Sequence, residues 1–149
     1  MFREYHQIDA SVYLKAIEEE IKGDSTVRVE YITKLGRTYG CAISIVILGE
    51  IVNKLCQKAK DKLMRDEFLT VLGDFLVKQE ISVITILGED IKLFNELREI
   101  ETRAHEPEIL ALAAAINHKA DVFMTFDEDL LHSAPLFKQK YGIKVRKPV

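Results

Sequence analysis

The sequence has little of several features that mark common protein classes. It contains two cysteines, Cys41 and Cys56, which lie far apart and form no C-x-x-C pair. A disulfide framework or a zinc knuckle is therefore not expected, and free buried thiols in a reducing compartment are the default. No apolar run reaches the length of a membrane span, and the N-terminal segment has no stretch of signal-peptide type. These absences favour a cytoplasmic protein that does not contact a membrane.

The sequence also lacks a strong charge of either sign. Its formal net charge is -3, which excludes a globally basic nucleic-acid binder. Binding to a polyanion would need a local basic patch or bridging metal ions. A chain of 149 residues with 48% hydrophobic and 30% charged residues predicts a folded protein. We find no repeat and no Pro/Gly-rich linker, so we predict one domain over residues 1–149.

Several catalytic motifs are missing as well. The segment "GRTYG" lacks the Lys-Ser/Thr of a phosphate-binding loop, and no G-x-G-x-x-G is present. The segment "HEPEI" begins like a zinc-protease motif, but Ile109 stands where the second histidine would be. Haloacid-type phosphatases begin with a strand and Asp-x-Asp, whereas here the third residue is Ser11.

What the sequence does contain is an alternation of short apolar strands and longer helices. The predicted strands are a stretch ending at Ile8, then "YGCAIS", "ISVIT", "DVFMT" and "IKVR". Between them lie predicted helices such as "SVYLKAIEEEIKG", "IVILGEIVNKLCQKAK", "DEFLTVLGDFLVKQE", "EDIKLFNELREIE" and "EPEILALAAAINHK". This alternation is typical of an α/β fold with a parallel sheet.

Acidic residues follow or precede these strands at the positions where a parallel sheet binds ligands. Ligands lie outside the carboxyl ends of the strands. Asp9 follows the first strand, and Thr125, Asp127 and Asp129 follow the fourth. Two further acids, Glu50 and Glu108, lie on otherwise apolar helical segments. Inward-facing carboxylates repel each other and are costly to bury, and a divalent Mg²⁺ or Mn²⁺ would remove both costs.

Each acid also has a simpler interpretation. Asp127 and Asp129 fit a solvated turn, and Asp9 fits a cap on the helix that follows it. Glu50 fits an acid that is paired with a cation or extends to solvent. Glu108 fits an acid that stabilises a helix N-terminus. No single residue decides between these interpretations, but their joint placement favours a metal site.

Three segments together resemble the PIN-domain family, in particular its small prokaryotic members related to VapC toxins. "IDASVYL" resembles the opening Asp-x-Ser of PIN domains, and "VILGEIV" resembles their internal Glu on a helix. "EILALAAAINHKADVFMTFDEDL" resembles the closing block, with an acid, an Ala-rich helix, a strand and Thr-x-Asp-x-Asp. The order and spacing match over nearly the whole chain.

The resemblance implies a three-layer α/β/α sandwich around a parallel sheet of about five strands. It also implies an Mg²⁺- or Mn²⁺-dependent ribonuclease in which carboxylate-bound metal activates water to hydrolyse a phosphodiester. Four residues fall on the family's acidic positions, Asp9, Glu50, Glu108 and Asp127. Glu108 stands where the family usually has Asp, and Glu106 is a fallback if the helix begins differently. Asp129 falls on a variable further acid, and Ser11 and Thr125 fall on supporting hydroxyl positions.

The expected partners are an RNA substrate, an antitoxin protein and a second copy of the chain. Lys34, Arg37 and Arg103 are candidate RNA contacts, although each also fits an ordinary solvated surface charge. The apolar segments "VEYI" and "FLTVLGDFLV" are candidate contact faces for a homodimer or partner, with burial in the monomer core as the alternative. A second functional hypothesis is a catalytically weak PIN-like scaffold that binds RNA or a protein, because Glu108 occupies a usual Asp position.

Overall fold

A parallel sheet of five strands forms the centre of the fold. The computed structural model describes residues 3–23, 26–35 and 37–148. The strands are β1 (Tyr5–Ile8), β2 (Gly40–Ser44), β3 (Ser82–Ile84), β4 (Val122–Met124) and β5 (Lys144–Arg146), in the order β3-β2-β1-β4-β5. Every neighbouring pair is parallel. The predicted α/β class and strand number are confirmed, and helices complete a three-layer α/β/α sandwich.

Helices connect the strands. They are α1 (Ala10–Lys22), α2 (Val27–Lys34), α3 (Ile45–Lys58), α4 (Lys62–Lys78), α5 (Gly88–Ile100), α6 (Glu106–Asn117), α7 (Glu128–His132) and α8 (Ala134–Tyr141). Two differ from the sequence prediction. Helix α4 begins four residues earlier than the predicted Asp66, because the Asp61 side chain accepts a hydrogen bond from the backbone N–H of Met64 and starts the helix there. The segment after β4, predicted as a turn or one wall of a metal site, contains the short helix α7.

The order in which the chain adds strands to the sheet reverses beside β1, although all strands stay parallel. From β1 the chain moves outward to β2 and β3, and it then returns to add β4 on the other side of β1. His6 pairs with Cys41 on one side and with Val122 on the other. Loops at the carboxyl ends of β1 and β4 therefore diverge and leave a crevice, which is where open parallel sheets bind ligands.

Local signals in the sequence account for several helix ends. Gly23 has φ 75°, a left-handed conformation that favours glycine, and it ends α1. The Ser44 hydroxyl accepts a 3.2 Å hydrogen bond from the Val46 N–H at the start of α3. Alanines fill most of the buried face of α6, and their small side chains allow this helix to pack against both α3 and α5. The core around them is mainly aliphatic.

The two segments predicted as contact faces are largely buried in the monomer. In α2, Val29, Tyr31 and Ile32 are buried, so the "VEYI" segment belongs to the core. In α4, Phe68 and Phe75 are also buried, although Val77 is exposed. Amphipathic packing inside the monomer thus uses these faces. The most exposed large apolar side chains are Leu63 and Val77 of α4, and a second group lies around β3 and its flanking helices, at Ile45, Val83, Leu87 and Ile91.

None of the helices in the described ranges is both long enough and apolar enough to cross a membrane. Cys41 and Cys56 are both free thiols, as predicted, but the prediction that they are buried is wrong, because Cys41 is half-buried and Cys56 is exposed.

Candidate metal centre

Asp9 is the most deeply placed acid at the crevice. It follows β1 directly, and its side chain is 1% exposed. It occupies the position before the first residue of α1, but its carboxylate makes no capping hydrogen bond. Instead, Asp9 Oδ2 accepts hydrogen bonds from the hydroxyls of Thr125 at 2.8 Å and Ser11 at 3.1 Å. The helix-cap interpretation therefore does not explain this side chain, and both predicted supporting hydroxyls contact it.

The two hydroxyl groups also bind the backbone after β4. The Phe126 N–H donates to Ser11 Oγ at 3.0 Å, and the Asp127 N–H donates to Thr125 Oγ1 at 2.9 Å. Each hydroxyl thus accepts one hydrogen bond and donates its own proton to Asp9. This arrangement fixes the Asp9 carboxylate between the ends of β1 and β4.

Glu50 and Glu108 join Asp9 from two different helices. Glu50 lies in the middle of α3, and Glu108 lies in the first turn of α6. One carboxylate oxygen from each of Asp9, Glu50 and Glu108 lies within 4.8 Å of the other two. Three acids that are distant in the sequence are therefore brought together at the crevice by the packing of α3 against α6.

The surroundings of these acids disfavour their charged forms. Burial and, to a smaller extent, the charge on Glu50 raise the pKa of Asp9 to about 6 in spite of the Thr125 and Ser11 hydrogen bonds, which lower it. Burial, together with the neighbouring carboxylates of Asp9, Glu50 and Asp127, raises the pKa of Glu108 to about 8. The cluster thus carries an electrostatic cost that a bound cation would remove.

The donor atoms fit a hard divalent metal ion. Each acid in the cluster has a buried carboxylate oxygen without a hydrogen-bond partner in the described part of the chain: Asp9 Oδ1, Glu50 Oε2 and Glu108 Oε2. Buried polar atoms are normally paired, so three unpaired oxygens in one place need an explanation. Mg²⁺ and Mn²⁺ prefer carboxylate oxygens and retain several water ligands. The three carboxylates are suited to hold such an ion.

The other predicted acids take different positions. Asp127 precedes α7, and its Oδ1 accepts a 3.0 Å hydrogen bond from the Leu130 N–H, so it caps that helix. It is near enough to raise the pKa of Glu108 but is not one of the three grouped ligands. Asp129 lies 3.6 Å from Arg103 instead. The fallback acid Glu106 is exposed and pairs with Arg98 at 3.1 Å. Asp127 and Asp129 as metal ligands stay predictions.

The three candidate RNA-binding cations do not share one surface. Lys34 and Arg37 precede β2. The backbone N–H of Gly40, the first residue of β2, donates a hydrogen bond to the carbonyl of Glu4, just before β1, so both cations lie at the amino-terminal edge of the sheet. Because all strands are parallel, their carboxyl ends, where the carboxylates lie, form the opposite edge of the sheet. Arg103 lies nearer the acids, but it is engaged by the buried carboxylate of Glu101 at 3.2 Å and by Asp129.

Lys54 is a site residue that the sequence analysis did not identify. Its Nζ lies 2.8 Å from Glu50 Oε1, one turn further along α3. Its pKa is raised by its hydrogen bond to Glu50 and by the charges of Glu50, Glu108 and Asp9. The i, i+4 spacing of Glu50 and Lys54 would have predicted this pair. The paired-acid interpretation of Glu50 is therefore correct, and Glu50 also belongs to the cluster.

Comparison with solved structures gives several chains of the same architecture. A chain of the VapBC2 complex from Rickettsia felis, solved with a DNA fragment from its promoter, superposes with a TM-score of 0.70 over 96% of this chain and 98% of that one, at 17% identity. The chain has a PIN-like fold. No protein-family profile matches the sequence, and no curated protein matches it either.

Two further neighbours agree with this fold. A chain of VapBC-5 from Mycobacterium tuberculosis, a toxin–antitoxin system, gives a TM-score of 0.63 with 13% identity over 96% of this chain and 98% of that one. A chain of FitAcB from Neisseria gonorrhoeae gives 0.69 with 11% identity over 96% and 97%. The resemblance drawn from the sequence motifs is thus confirmed at the level of the fold.

Proposed function

We propose that this chain is a metal-dependent endoribonuclease and the toxin of a toxin–antitoxin pair. The observation that carries the proposal is the group of three buried carboxylates, each with an unpaired oxygen, at the reversal point of a PIN-like sheet. Such a group fits a hard divalent cation better than it fits a purely structural role, since Lys54 forms its one ion pair within the described residues and three carboxylate oxygens stay unpaired there.

The residues of the chain take separate roles in this proposal. Asp9, Glu50 and Glu108 would hold Mg²⁺ or Mn²⁺, with Asp127 close enough to contribute through a water molecule. Bound metal would supply an activated water and charge neutralisation for phosphodiester hydrolysis. Ser11 and Thr125 keep the Asp9 carboxylate in one orientation. Lys54 places a positive charge beside the acids and so reduces their repulsion of an RNA backbone.

The partners belong to the same proposal. The structural neighbours come from toxin–antitoxin complexes, which supports a protein antitoxin as the partner of this chain. The exposed apolar side chains Ile45, Val83, Leu87 and Ile91 support self-association into a homodimer. We further propose that residues 1–149 act as one domain in the cytoplasm, where the two free thiols would stay reduced.

The experiment that tests the nuclease is cleavage of a panel of single-stranded and structured RNAs with Mg²⁺, with Mn²⁺ and with EDTA. The variant Asp9→Asn keeps the size of the side chain but removes its charge. Asp74→Asn, an exposed acid on α4, is the matched control. We expect metal-dependent cleavage by the wild type and by Asp74→Asn, and none by Asp9→Asn.

One outcome would contradict the nuclease proposal. If the wild type cleaves no RNA beyond the level of Asp9→Asn, and calorimetry detects no metal binding, the nuclease proposal is wrong. The PIN-like fold would then serve as a scaffold that binds RNA or a protein. Co-expression with a short open reading frame next to the gene tests the antitoxin separately, because a toxin should co-purify with that product and lose its activity.

A further inference from the structure

We propose that Phe126 is a stacking platform for an unpaired base of the substrate, and that Lys15 binds the adjacent phosphate. The inference rests on the proposed ribonuclease function and assigns the residues that would hold an unpaired base of its RNA substrate and the phosphate beside it. It follows from the position of the Phe126 ring and from the cations around it.

Phe126 is coupled closely to the carboxylate cluster. Its backbone N–H donates to Ser11 Oγ at 3.0 Å, and Ser11 in turn donates to Asp9 Oδ2 at 3.1 Å. Two consecutive hydrogen bonds through Ser11 thus connect the backbone that carries the ring to Asp9, the most buried acid of the cluster. The side chain is half-buried, so one part packs on the core and another remains accessible.

Two cations lie over the Phe126 ring. Lys15 Nζ is 4.9 Å from the ring centroid, and the Arg28 guanidinium carbon is 5.8 Å from it. Arg28 is held in place by an ion pair with Glu19. Lys15 is exposed and forms no salt bridge within the described residues, although its charge lowers the pKa of Glu19 one turn further along α1. An exposed ammonium beside an aromatic ring can turn toward a phosphate that lies next to a stacked base.

These groups match the chemistry of a single strand better than that of a duplex. Bases in a duplex are stacked on each other, whereas unpaired bases present a free face to an aromatic side chain. Base–aromatic stacking is stronger than an exposed cation–π contact, so a base can replace the Lys15 ammonium on the ring. The displaced ammonium then lies near the strand, where it can neutralise a phosphate.

The simpler alternative is that Phe126 only fills space at the edge of the core. Leucine tests this alternative directly, because Phe126→Leu retains an apolar side chain for packing but has no aromatic face. Phe126→Tyr restores the ring. Lys22, another exposed lysine on α1, provides the control for a general loss of positive charge through Lys22→Gln.

The measurement is binding of a single-stranded oligoribonucleotide that contains the fluorescent base 2-aminopurine, with a duplex of the same sequence for comparison. Binding is recorded in Ca²⁺ and in EDTA, and gel electrophoresis verifies that the RNA stays intact. Stacking on an aromatic ring quenches the fluorescence. Thermal unfolding of each variant verifies that it is folded.

We expect Phe126→Leu to bind the single strand roughly tenfold more weakly than the wild type, equivalent to about 1.4 kcal/mol, and to lose the quenching. Phe126→Tyr and Lys22→Gln should behave as the wild type. Lys15→Gln should weaken binding and reduce the slope of log affinity against log salt concentration by about 0.7, the value for one phosphate contact on a single strand.

Three results would overturn the inference: unchanged binding and quenching in Phe126→Leu, an equal loss for single strand and duplex, or no binding of single strands by the wild type. These results are separate from those of the cleavage test. A wild type that cleaves RNA with metal, beside an unaffected Phe126→Leu, removes the platform and keeps the nuclease. A wild type that quenches the probe but never cleaves removes the nuclease and keeps the platform.

Discussion

The Thr125 hydroxyl donates a 2.8 Å hydrogen bond to Asp9 Oδ2 and thereby joins the ends of the two adjacent strands at the reversal point of the sheet. Both side chains are almost completely buried. The bond stabilises the charged form of Asp9, since it lowers a pKa that burial raises. It therefore links the stability of the sheet edge to the charge state of the candidate metal centre.

Replacing Thr125 by valine should affect both properties. Thr125→Val keeps the shape of the side chain but leaves Asp9 Oδ2 with one donor fewer. We expect the free energy of unfolding to fall by about 1–3 kcal/mol, the usual cost of losing a hydrogen bond to a buried charged group. We expect metal affinity to fall by roughly 10–100-fold, as for other groups that orient a ligand.

Urea denaturation and calorimetric titration with Mn²⁺ measure these two effects. Thr125→Ser retains the hydroxyl and serves as the control, so it should keep most of the metal affinity. Equal metal affinities in Thr125→Val and the wild type would show that the hydroxyl does not orient Asp9.

The raised pKa values of Asp9 and Glu108 predict how stability depends on pH without metal. Both groups bind protons more tightly in the folded than in the unfolded chain, where their pKa values are near 3.8 and 4.5. Their contribution to stability is present at low pH and is lost as pH rises through about 6 for Asp9 and about 8 for Glu108. We therefore expect the metal-free protein to be less stable at pH 8 than at pH 5.

The expected loss is at least about 1.4 kcal/mol, the equivalent of one pKa unit. Urea denaturation in EDTA at several pH values measures it. Glu108→Gln should flatten the dependence, since the amide does not titrate, and Mg²⁺ should raise stability mainly at the higher pH. A wild-type protein whose stability in EDTA rises steadily from pH 5 to pH 8 would show that the acids are not held in an unfavourable cluster.

Much of the fold could be predicted from the sequence because its signals are local. The β-branched segment "ISVIT" was predicted as a strand and contains β3, and the signals at Ser44 and Gly23, which set the helix ends, also act within a few residues. The start of α4 was placed too late because Asp61 caps it from within a polar segment that has no helical apolar spacing. The burial of "VEYI" depends on tertiary packing, which hydrophobic spacing alone does not determine.

The candidate site, too, could be predicted from the sequence only in part. Glu50 and Glu108 were predicted to face inward, since charged residues in apolar segments need compensation, and Asp9 was predicted from its place after the first strand. The three acids do meet in the structure. The sequence could not show that Asp127 caps α7 or that Asp129 pairs with Arg103, because both contacts depend on the helix formed after β4. The placement of Lys34 and Arg37 at the opposite edge depends on which strand end their loop joins.

Glu108 offers a direct test of ligand length, since the resemblance to PIN domains places Asp at this position. Glu108→Asp withdraws the carboxylate by one methylene group but retains its charge, whereas Glu108→Gln retains the length and removes the charge. If Glu108 binds metal, we expect Glu108→Gln to lower metal affinity by at least roughly 10–100-fold, the range seen even for indirect contacts. Glu108→Asp should retain metal-dependent cleavage.

Calorimetry with Mn²⁺ and the RNA cleavage assay measure both variants, and Glu106→Gln is the matched control because Glu106 is exposed and pairs with Arg98. If Glu106→Gln lowers metal affinity as much as Glu108→Gln does, the ligand set in the first turn of α6 is wrong.

If the three acids bind a metal ion, Lys54 would compete with it for the same carboxylates. Its Nζ lies 2.8 Å from Glu50 Oε1, and the charges of Glu108 and Asp9 also act on it. At a separation of about 4 Å, two unit charges interact by about 1 kcal/mol in water and by more in a protein. Removing this ammonium should therefore strengthen the binding of a divalent cation by at least about fivefold, the equivalent of 1 kcal/mol.

Calorimetric titration of Lys54→Gln with Mg²⁺ and Mn²⁺ measures this change, and Lys54→Arg, which keeps the positive charge, should bind as the wild type does. RNA affinity should move in the opposite direction, because Lys54→Gln leaves the acids with less compensation against a phosphate backbone. Tighter metal binding together with weaker RNA binding in the same variant would indicate that Lys54 serves both ligands. Unchanged metal affinity in Lys54→Gln would instead show that the ion binds away from Glu50, and the ligand set would then have to be drawn from Asp9, Glu108 and Asp127.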